Sequence, residues 1–247
     1  MTLTPIQEAL ERSKARVAKI KAERGIRDLT DDEYKALQRA ETSKLEQQEA
    51  QNYVPDYARI GIREDDLSLD WNSVKPGYSD GDKARDAVRQ AYERSFGILF
   101  LWGSYGQAKT LIGKILTVKA FKAGKRTAYA NMSSILDDIR LAFDEPEHKT
   151  TELLRRMEWW KERDVLFLDE FDKSNDTQWA QERMFQLLDY RYMRAIREEA
   201  LTVIASNKSD DDLDGYLKSR LNDRRVGPVL HLNGTDGRLS MPKNWKH

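Results

Sequence analysis

An apolar run that ends in a glycine-bearing turn, with helix-forming residues straight after it, leaves a chain few folds to choose from. Residues 98–110 read Ile98-Leu99-Phe100-Leu101-Trp102-Gly103-Ser104-Tyr105-Gly106-Gln107-Ala108-Lys109-Thr110. Gly103, Lys109 and Thr110 hold the fixed places of the pattern G-x-x-x-x-G-K-[ST], Gly106 lies inside it, and Ala108 replaces its last glycine. The spacing has a chemical reason. Backbone N–H groups of such a loop converge on phosphates, the lysine neutralises β/γ charge and the threonine hydroxyl ligates Mg²⁺. Leu111-Ile112-Gly113-Lys114-Ile115-Leu116 continues as a helix whose positive N-terminal end favours an anion. The reading is therefore a strand, a phosphate loop and a helix. Residues Gly103, Ser104, Tyr105, Gly106, Gln107, Ala108, Lys109 and Thr110 are its candidate contacts to ATP or ADP. Ala108 puts a methyl group where backbone approaches phosphate, which is expected to slow turnover or weaken binding.

About 60 residues on, Val165-Leu166-Phe167-Leu168 runs into Asp169-Glu170. Four apolar residues in a row suit a strand buried on both faces of a parallel sheet. An acid at the end of such a strand emerges at the edge where α/β sheets bind ligands. Asp169 joins Thr110 as a candidate for holding Mg²⁺, and Glu170 is placed to polarise a water for attack on the γ-phosphate. A further apolar strand, Leu201–Ala205, ends in Ser206-Asn207. Asn207 has two readings: an amide that touches the γ-phosphate or the attacking water, or a plain turn residue. Ser209 followed by Asp210-Asp211-Asp212 is an N-cap with acids in the first turn, opening a helix towards Leu217.

Composition narrows the partners. The 247 residues carry 42 basic and 42 acidic side chains, so no global charge draws the chain to nucleic acid, and any contact with DNA must come from a local patch. Lys114, Lys119, Lys122, Lys125 and Arg126 form one such cluster, with a solvated helix face as the alternative. Cysteine is absent, which excludes disulfides and thiolate zinc sites, and the three histidines are scattered. No apolar run approaches the length of a membrane span and no signal region opens the chain, so a soluble, cytoplasmic protein without membrane contact is expected.

The chain divides into an N-terminal arm, residues 1–52, and a larger domain, residues 53–247. Thr4-Pro5-Ile6-Gln7 and Thr30-Asp31-Asp32-Glu33 are capping boxes that open two charged helices poor in apolar residues. Such an arm buries little by itself. It reads as a docking element for a partner or as a solvated helix loosely packed on its own domain. Residues 53–82 form a turn-rich connector whose aromatics are expected to pack across the nucleotide site. Beyond it, helices near 82–94, 132–143 and 176–197 alternate with strands, and Trp159 and Trp160 lie on another helix, packed on the sheet or stacked on bases. This alternation indicates a doubly wound parallel sheet between helical layers.

The order Gly103–Thr110, Asp169-Glu170, Leu187-Leu188-Asp189-Tyr190-Arg191-Tyr192, Ser206-Asn207 and Ser219-Arg220-Leu221 resembles the AAA+ ATPases of the DnaC type of helicase loader, with IstB transposition ATPases as close kin. The resemblance covers roughly residues 53–240. It implies an αβα sandwich, ATP/ADP and Mg²⁺ binding, and assembly into a homo-oligomer on single-stranded DNA. It also implies an N-terminal region that binds a replicative helicase. By position, Arg220 resembles the arginine finger that reaches a neighbour's γ-phosphate, with Arg224 and Arg225 as rivals. Arg238 resembles the arginine that senses nucleotide in its own subunit. The function implied is an ATPase that loads a replicative helicase. The alternatives are a transposition helper ATPase of the IstB kind and a nucleotide-dependent scaffold with little hydrolysis, against which Glu170 argues.

Overall fold

The structure is a computed structural model that describes Lys19, residues 56–74, 80–144, 149–173 and 177–234, and Asp236. The chain divides into two units, Met1–Val54 and Pro55–His247. The capping boxes of the arm, the connector residues 53–55 and 75–79, and Arg238 lie outside the described residues.

Five strands make one sheet: β1 (Gly97–Gly103), β2 (Thr127–Asn131), β3 (Val165–Asp169), β4 (Leu201–Ser206) and β5 (Val229–Leu232). Their order is β2-β3-β4-β1-β5 and every pairing is parallel. Among them run α1 (Gly81–Arg94), α2 (Lys109–Lys122), α3 (Met132–Arg140), α4 (Lys149–Lys161), α5 (Gln178–Ile196) and α6 (Gly215–Leu221). This is an αβα sandwich, as the alternation of apolar runs and helical segments indicated.

Side-chain alternation along the strands builds two cores. Ile98, Phe100, Leu166, Leu168 and Ile204 pack with Ile135, Leu136 and Ile139 of α3, Trp160 of α4, Leu187 and Leu188 of α5, and Leu217 and Leu221 of α6. Leu99, Leu101, Val165, Phe167 and Val203 face the other way, onto Ala84, Val88 and Ala91 of α1 and Ile112, Ile115 and Leu116 of α2. Each residue of β3 and β4 is buried, which is why these strands read as unbroken apolar runs. Burying each large aliphatic or aromatic side chain contributes about 1.5–3 kcal/mol. Helix α2 lies close on β3 because position 113 has no side chain; a Cβ there would come within 2.5 Å of the Phe167 ring.

Helix starts follow local chemistry. Asn131 accepts from the Ser134 N–H at 2.8 Å to open α3, and Thr177 accepts from that of Ala180 to open α5. One expectation changes in form. Ser209 does cap a turn, accepting from the Asp211 N–H at 2.9 Å, but that turn is a short 3₁₀ helix, Asp210–Asp212. Leu213 then goes extended, and Asp214 supplies a second cap, to the Tyr216 N–H, that starts α6. Three acids with no apolar residue among them leave the first turn nothing to bury, so the helix waits for Leu217.

Two of the connector aromatics differ from expectation. Tyr57 packs with Ile60, Ile62 and Val118 of α2, and Trp71 lies 6.4 Å from the Tyr92 ring of α1, so both brace helices rather than cross the nucleotide loop. The tryptophan pair is a packing pair. Trp160 is buried and donates its Nε1–H to Asp138 at 2.8 Å, and Trp159 meets it edge to face.

At the N-terminal edge of the sheet sits a buried arginine. Arg191 of α5 donates to Thr202 Oγ1 at 2.8 Å, to the carbonyls of Leu201 at 2.6 Å and Lys161 at 3.1 Å, and to that of Arg163. Burial, and then the charge of Arg194, lowers its pKa. Arginine nevertheless stays protonated in proteins, and the carbonyl and hydroxyl acceptors suit that charge.

Candidate nucleotide-binding site

Parallel strands all present their C-terminal ends at one edge, and the register lines up Asn131 with Asp169 and Gly103 with Leu232 there. β1 is followed at this edge by the loop 103–110, between neighbours β4 and β5. Loop conformation depends on residues with positive φ: Gly103 at 149°, Gly106 at 77° and Ala108 at 58°. A Cβ on Gly103 would meet the Leu232 carbonyl oxygen at 2.2 Å, so glycine is required there. Ala108 occupies the left-handed region as an L-residue, which costs about 1–2 kcal/mol relative to the right-handed one. The departure noted at this position therefore strains the backbone itself, in addition to adding a methyl group.

Lys109, the first residue of α2, is buried. Its Nζ donates to the carbonyls of Gly103 at 2.6 Å and Ser104 at 2.9 Å. Desolvation pulls its pKa below the ordinary lysine value, against the opposing charges of Asp169 and Asp172. Gln107 is buried too, and its amide donates to the Gly234 carbonyl at 2.6 Å, which the Ser104 hydroxyl reaches at 3.3 Å. These two side chains hold the stretch after β5 against the loop. Their backbone N–H groups are what they offer a phosphate. Asp236 lies there as well, its carboxylate where a Cβ on Gly106 would fall. Tyr105 is exposed at the loop's tip.

The loop and the β3 acid meet directly. Thr110 Oγ1 donates to Asp169 Oδ2 at 2.7 Å. The same oxygen accepts from the Tyr129 hydroxyl at 2.7 Å, and Asp169 Oδ1 accepts from the Glu170 N–H at 2.9 Å. Glu170 itself has φ 47°, and its carboxylate pairs with Lys173 at 2.6 Å across a half-exposed surface. Asn207 gives its backbone N–H to Asp172 Oδ1 at 2.8 Å and its side-chain amide to the same oxygen at 3.3 Å. Asp169, Glu170 and Asn207 thus gather on one edge with the loop, while Tyr129, Asp172 and Lys173 are neighbours that the sequence reading missed. Asp172 had a signal, being the third acid of Asp169-Glu170-Phe171-Asp172. Tyr129 had none, since a tyrosine between alanines reads simply as strand.

These residues fit a nucleotide with Mg²⁺. A lysine resting on neutral carbonyls gains by exchanging them for charged phosphate oxygens. Among the described residues no group of three or more His, Cys, Asp or Glu could cage a metal ion. Mg²⁺ takes one or two carboxylates and completes its shell with phosphates and waters, and Asp169 is the carboxylate beside Thr110.

Arg220 lies elsewhere. Its guanidinium pairs with Asp189 of α5 at 2.7 Å, bonds the Tyr216 hydroxyl, and sits over the rings of Tyr192 at 4.3 Å and Tyr216 at 4.2 Å. Helix α5 packs alongside α6 and offers Arg220 a carboxylate already fixed on a long helix. Arg225 is taken by Asp223 at 2.6 Å and the Tyr192 hydroxyl at 3.0 Å, and Arg224 is exposed.

Two of the five cations in the basic cluster pair with carboxylates. Lys114 pairs with Asp66 at 2.9 Å and Lys122 donates to the Leu67 carbonyl at 2.6 Å. Lys125 bonds Ser95 and lies over the Tyr92 ring, and Arg126 pairs with Asp164 at 2.6 Å. These four cations brace the connector and the strand entries. No described helix is long and apolar enough to cross a membrane.

The model of the IstB-like ATP binding protein family matches residues 87–223, more than half of the chain. No curated protein matches it. Among solved structures, AMPPCP-bound DnaA from Aquifex aeolicus aligns with a TM-score of 0.53 at 22% identity, over 67% of this chain and 50% of that one. DnaI aligns at 0.52 and 18%, over 72% and 94%. Domain III of Thermotoga maritima DnaA aligns at 0.51 and 18%, over 64% and 68%. The chain thus spans about half the length of the first structures it matches, and these likenesses establish a shared fold. The family match covers the loop, Asp169-Glu170, Asn207 and Arg220 on that fold, and the chain belongs to the IstB-like ATP binding proteins.

Proposed function

We propose that the protein is an ATPase switch that loads a replicative helicase onto single-stranded DNA. The observation that carries the ATPase half is the 2.7 Å bond from Thr110 to Asp169, which joins the loop to the β3 acid beside a buried Lys109. ATP binds through residues 103–110, with Lys109 on the β/γ-phosphates. Mg²⁺ is held by Thr110 and, directly or through water, by Asp169; when bound it supplies positive charge to the phosphoryl oxygens. Glu170 serves as the base that polarises the attacking water. To do so its carboxylate exchanges Lys173 for that water. Asn207 has one amide hydrogen directed to Asp172, which leaves the other for the γ-phosphate or the water. Arg220 of an adjoining copy supplies transition-state charge in a homo-oligomer, and Arg238 senses nucleotide in its own subunit.

The loader half draws support from the acid-Tyr-Arg-Tyr stretch of α5 and the Ser-Asn ending of β4. In this reading the arm, residues 1–52, docks the helicase. A transposition helper ATPase is the second reading, favoured by the family match itself.

Two measurements test the proposal. Lys109→Ala removes the main charge partner of the phosphates, and charge-assisted hydrogen bonds of this kind contribute about 1.5–3 kcal/mol each. Titration should show at least a tenfold loss of ATP affinity; equal affinity sinks the nucleotide site. Pull-down with the host's replicative helicase should succeed with the full chain and fail without residues 1–52, the truncated chain still binding ATP. Stimulation of a transposase together with no helicase capture would establish the second reading instead.

A further inference from the structure

Asp169 receives more donors than a phosphate-loop acid needs. Its Oδ2 accepts from Thr110 and from Tyr129, each at 2.7 Å, and its Oδ1 accepts from the Glu170 N–H at 2.9 Å. An ionised carboxylate offers about four lone-pair sites. Three are taken by protein donors, which leaves one on Oδ1.

Tyr129 is itself held from several sides. Its ring stacks on Phe167 of β3, with centroids 5.7 Å apart and planes 14° from parallel. Its N–H donates to the Ile60 carbonyl at 2.9 Å, and a Cβ on Gly61 would lie only 2.0 Å from its carbonyl oxygen. The phenol is thus a fixed donor on a strand, delivered by an element separate from both the loop and β3.

We propose that Tyr129 is a positioning residue for the metal. By occupying the second lone pair of Asp169 Oδ2, it locks the carboxylate rotation so that Thr110 keeps its hydrogen bond and Oδ1 would be left to serve Mg²⁺. The inference rests on Thr110 and Asp169 as the Mg²⁺ residues. Removing the phenol oxygen frees Oδ2, lets the carboxylate turn and loosens Thr110.

The test compares wild type, Tyr129→Phe and Asp169→Asn in the full chain, by titrating ATP binding at increasing Mg²⁺ and with Mg²⁺ chelated. Phenylalanine preserves the stack on Phe167. Loss of an outer partner of a metal ligand typically weakens metal affinity about 10–100-fold. Tyr129→Phe should therefore need about tenfold more Mg²⁺ for half-maximal enhancement of ATP binding, with affinity in chelator unchanged. An unchanged Mg²⁺ requirement in Tyr129→Phe, while Asp169→Asn raises it, overturns the role of Tyr129 and leaves the Mg²⁺ site standing. No shift in either variant overturns the Mg²⁺ assignment and the inference with it. Loss of ATP binding in chelator by Tyr129→Phe assigns the tyrosine to the fold alone and overturns the positioning role.

Discussion

Lys109 and Arg220 are both cations of the proposed catalytic apparatus, and they are stored in opposite ways. Lys109 is buried with two neutral carbonyls as its partners and a pKa lowered by desolvation. Its environment is one that an incoming anion improves. Arg220 has what an arginine seeks at a surface: a carboxylate, a hydroxyl and two aromatic faces. Only its Nε is buried without a partner. A ligand that reaches Lys109 finds it ready. A neighbouring subunit that recruits Arg220 must first outbid Asp189. In the proposed mechanism, nucleotide binding is a property of one chain, whereas turnover depends on contact between chains.

Mixing variants probes that contrast at its strongest point. An arginine finger is worth about 10³–10⁵ in turnover where it has been measured, so Arg220→Ala should hydrolyse ATP at least 10³-fold more slowly than wild type while binding it normally. Lys109→Ala should also be inactive. Mixed, the two should regain partial activity, because some interfaces join an intact loop to an intact Arg220. Absence of recovery across mixing ratios, with assembly confirmed by sedimentation, would leave Arg220 as a partner of Asp189 only.

A second variant acts on the side that needs no neighbour. Glu170→Gln keeps the shape and removes the base, so hydrolysis should fall by about 10²-fold, the scale of general-base loss, with ATP affinity retained. Normal hydrolysis by this variant places the base elsewhere and removes Glu170 from the apparatus.

The smallest effect concerns the loop's own strain. Ala108→Gly relieves a left-handed alanine and should stabilise the fold by about 1 kcal/mol, or about 2–4 °C in Tm for a chain of this size. Turnover should be unchanged or raised. A lower Tm would show that the loop's conformation at 108 is already relaxed.

What the sequence made legible was what its own local order determines. The β1–loop–α2 unit is contiguous, and β3 and β4 announce themselves because strands buried on both faces cannot alternate. Partners that tertiary packing supplies were not legible. Asp189 lies 31 positions before Arg220, and Asp66 lies 48 before Lys114, so neither pairing leaves a mark in local spacing. Tyr129 escaped notice because its chemistry resides at the tip of a side chain whose strand position is unremarkable. The step after Ser209 was misjudged because capping residues mark where a helix can begin, while burial decides where it does.

Arg191 gives the sheet a fastening at one end only. Its guanidinium gathers the carbonyls of Lys161 and Arg163 before β3 and that of Leu201 at the start of β4. Three segments are thereby pinned at the base, and the opposite ends of the same strands carry Asp169 and Asn207. A strand anchored at its foot transmits displacement as a lever does, with the smallest travel at the rivet and the largest at the tip. In the proposed ATPase, movement provoked at the nucleotide rim is therefore expected to die away toward a floor that a buried cation holds still.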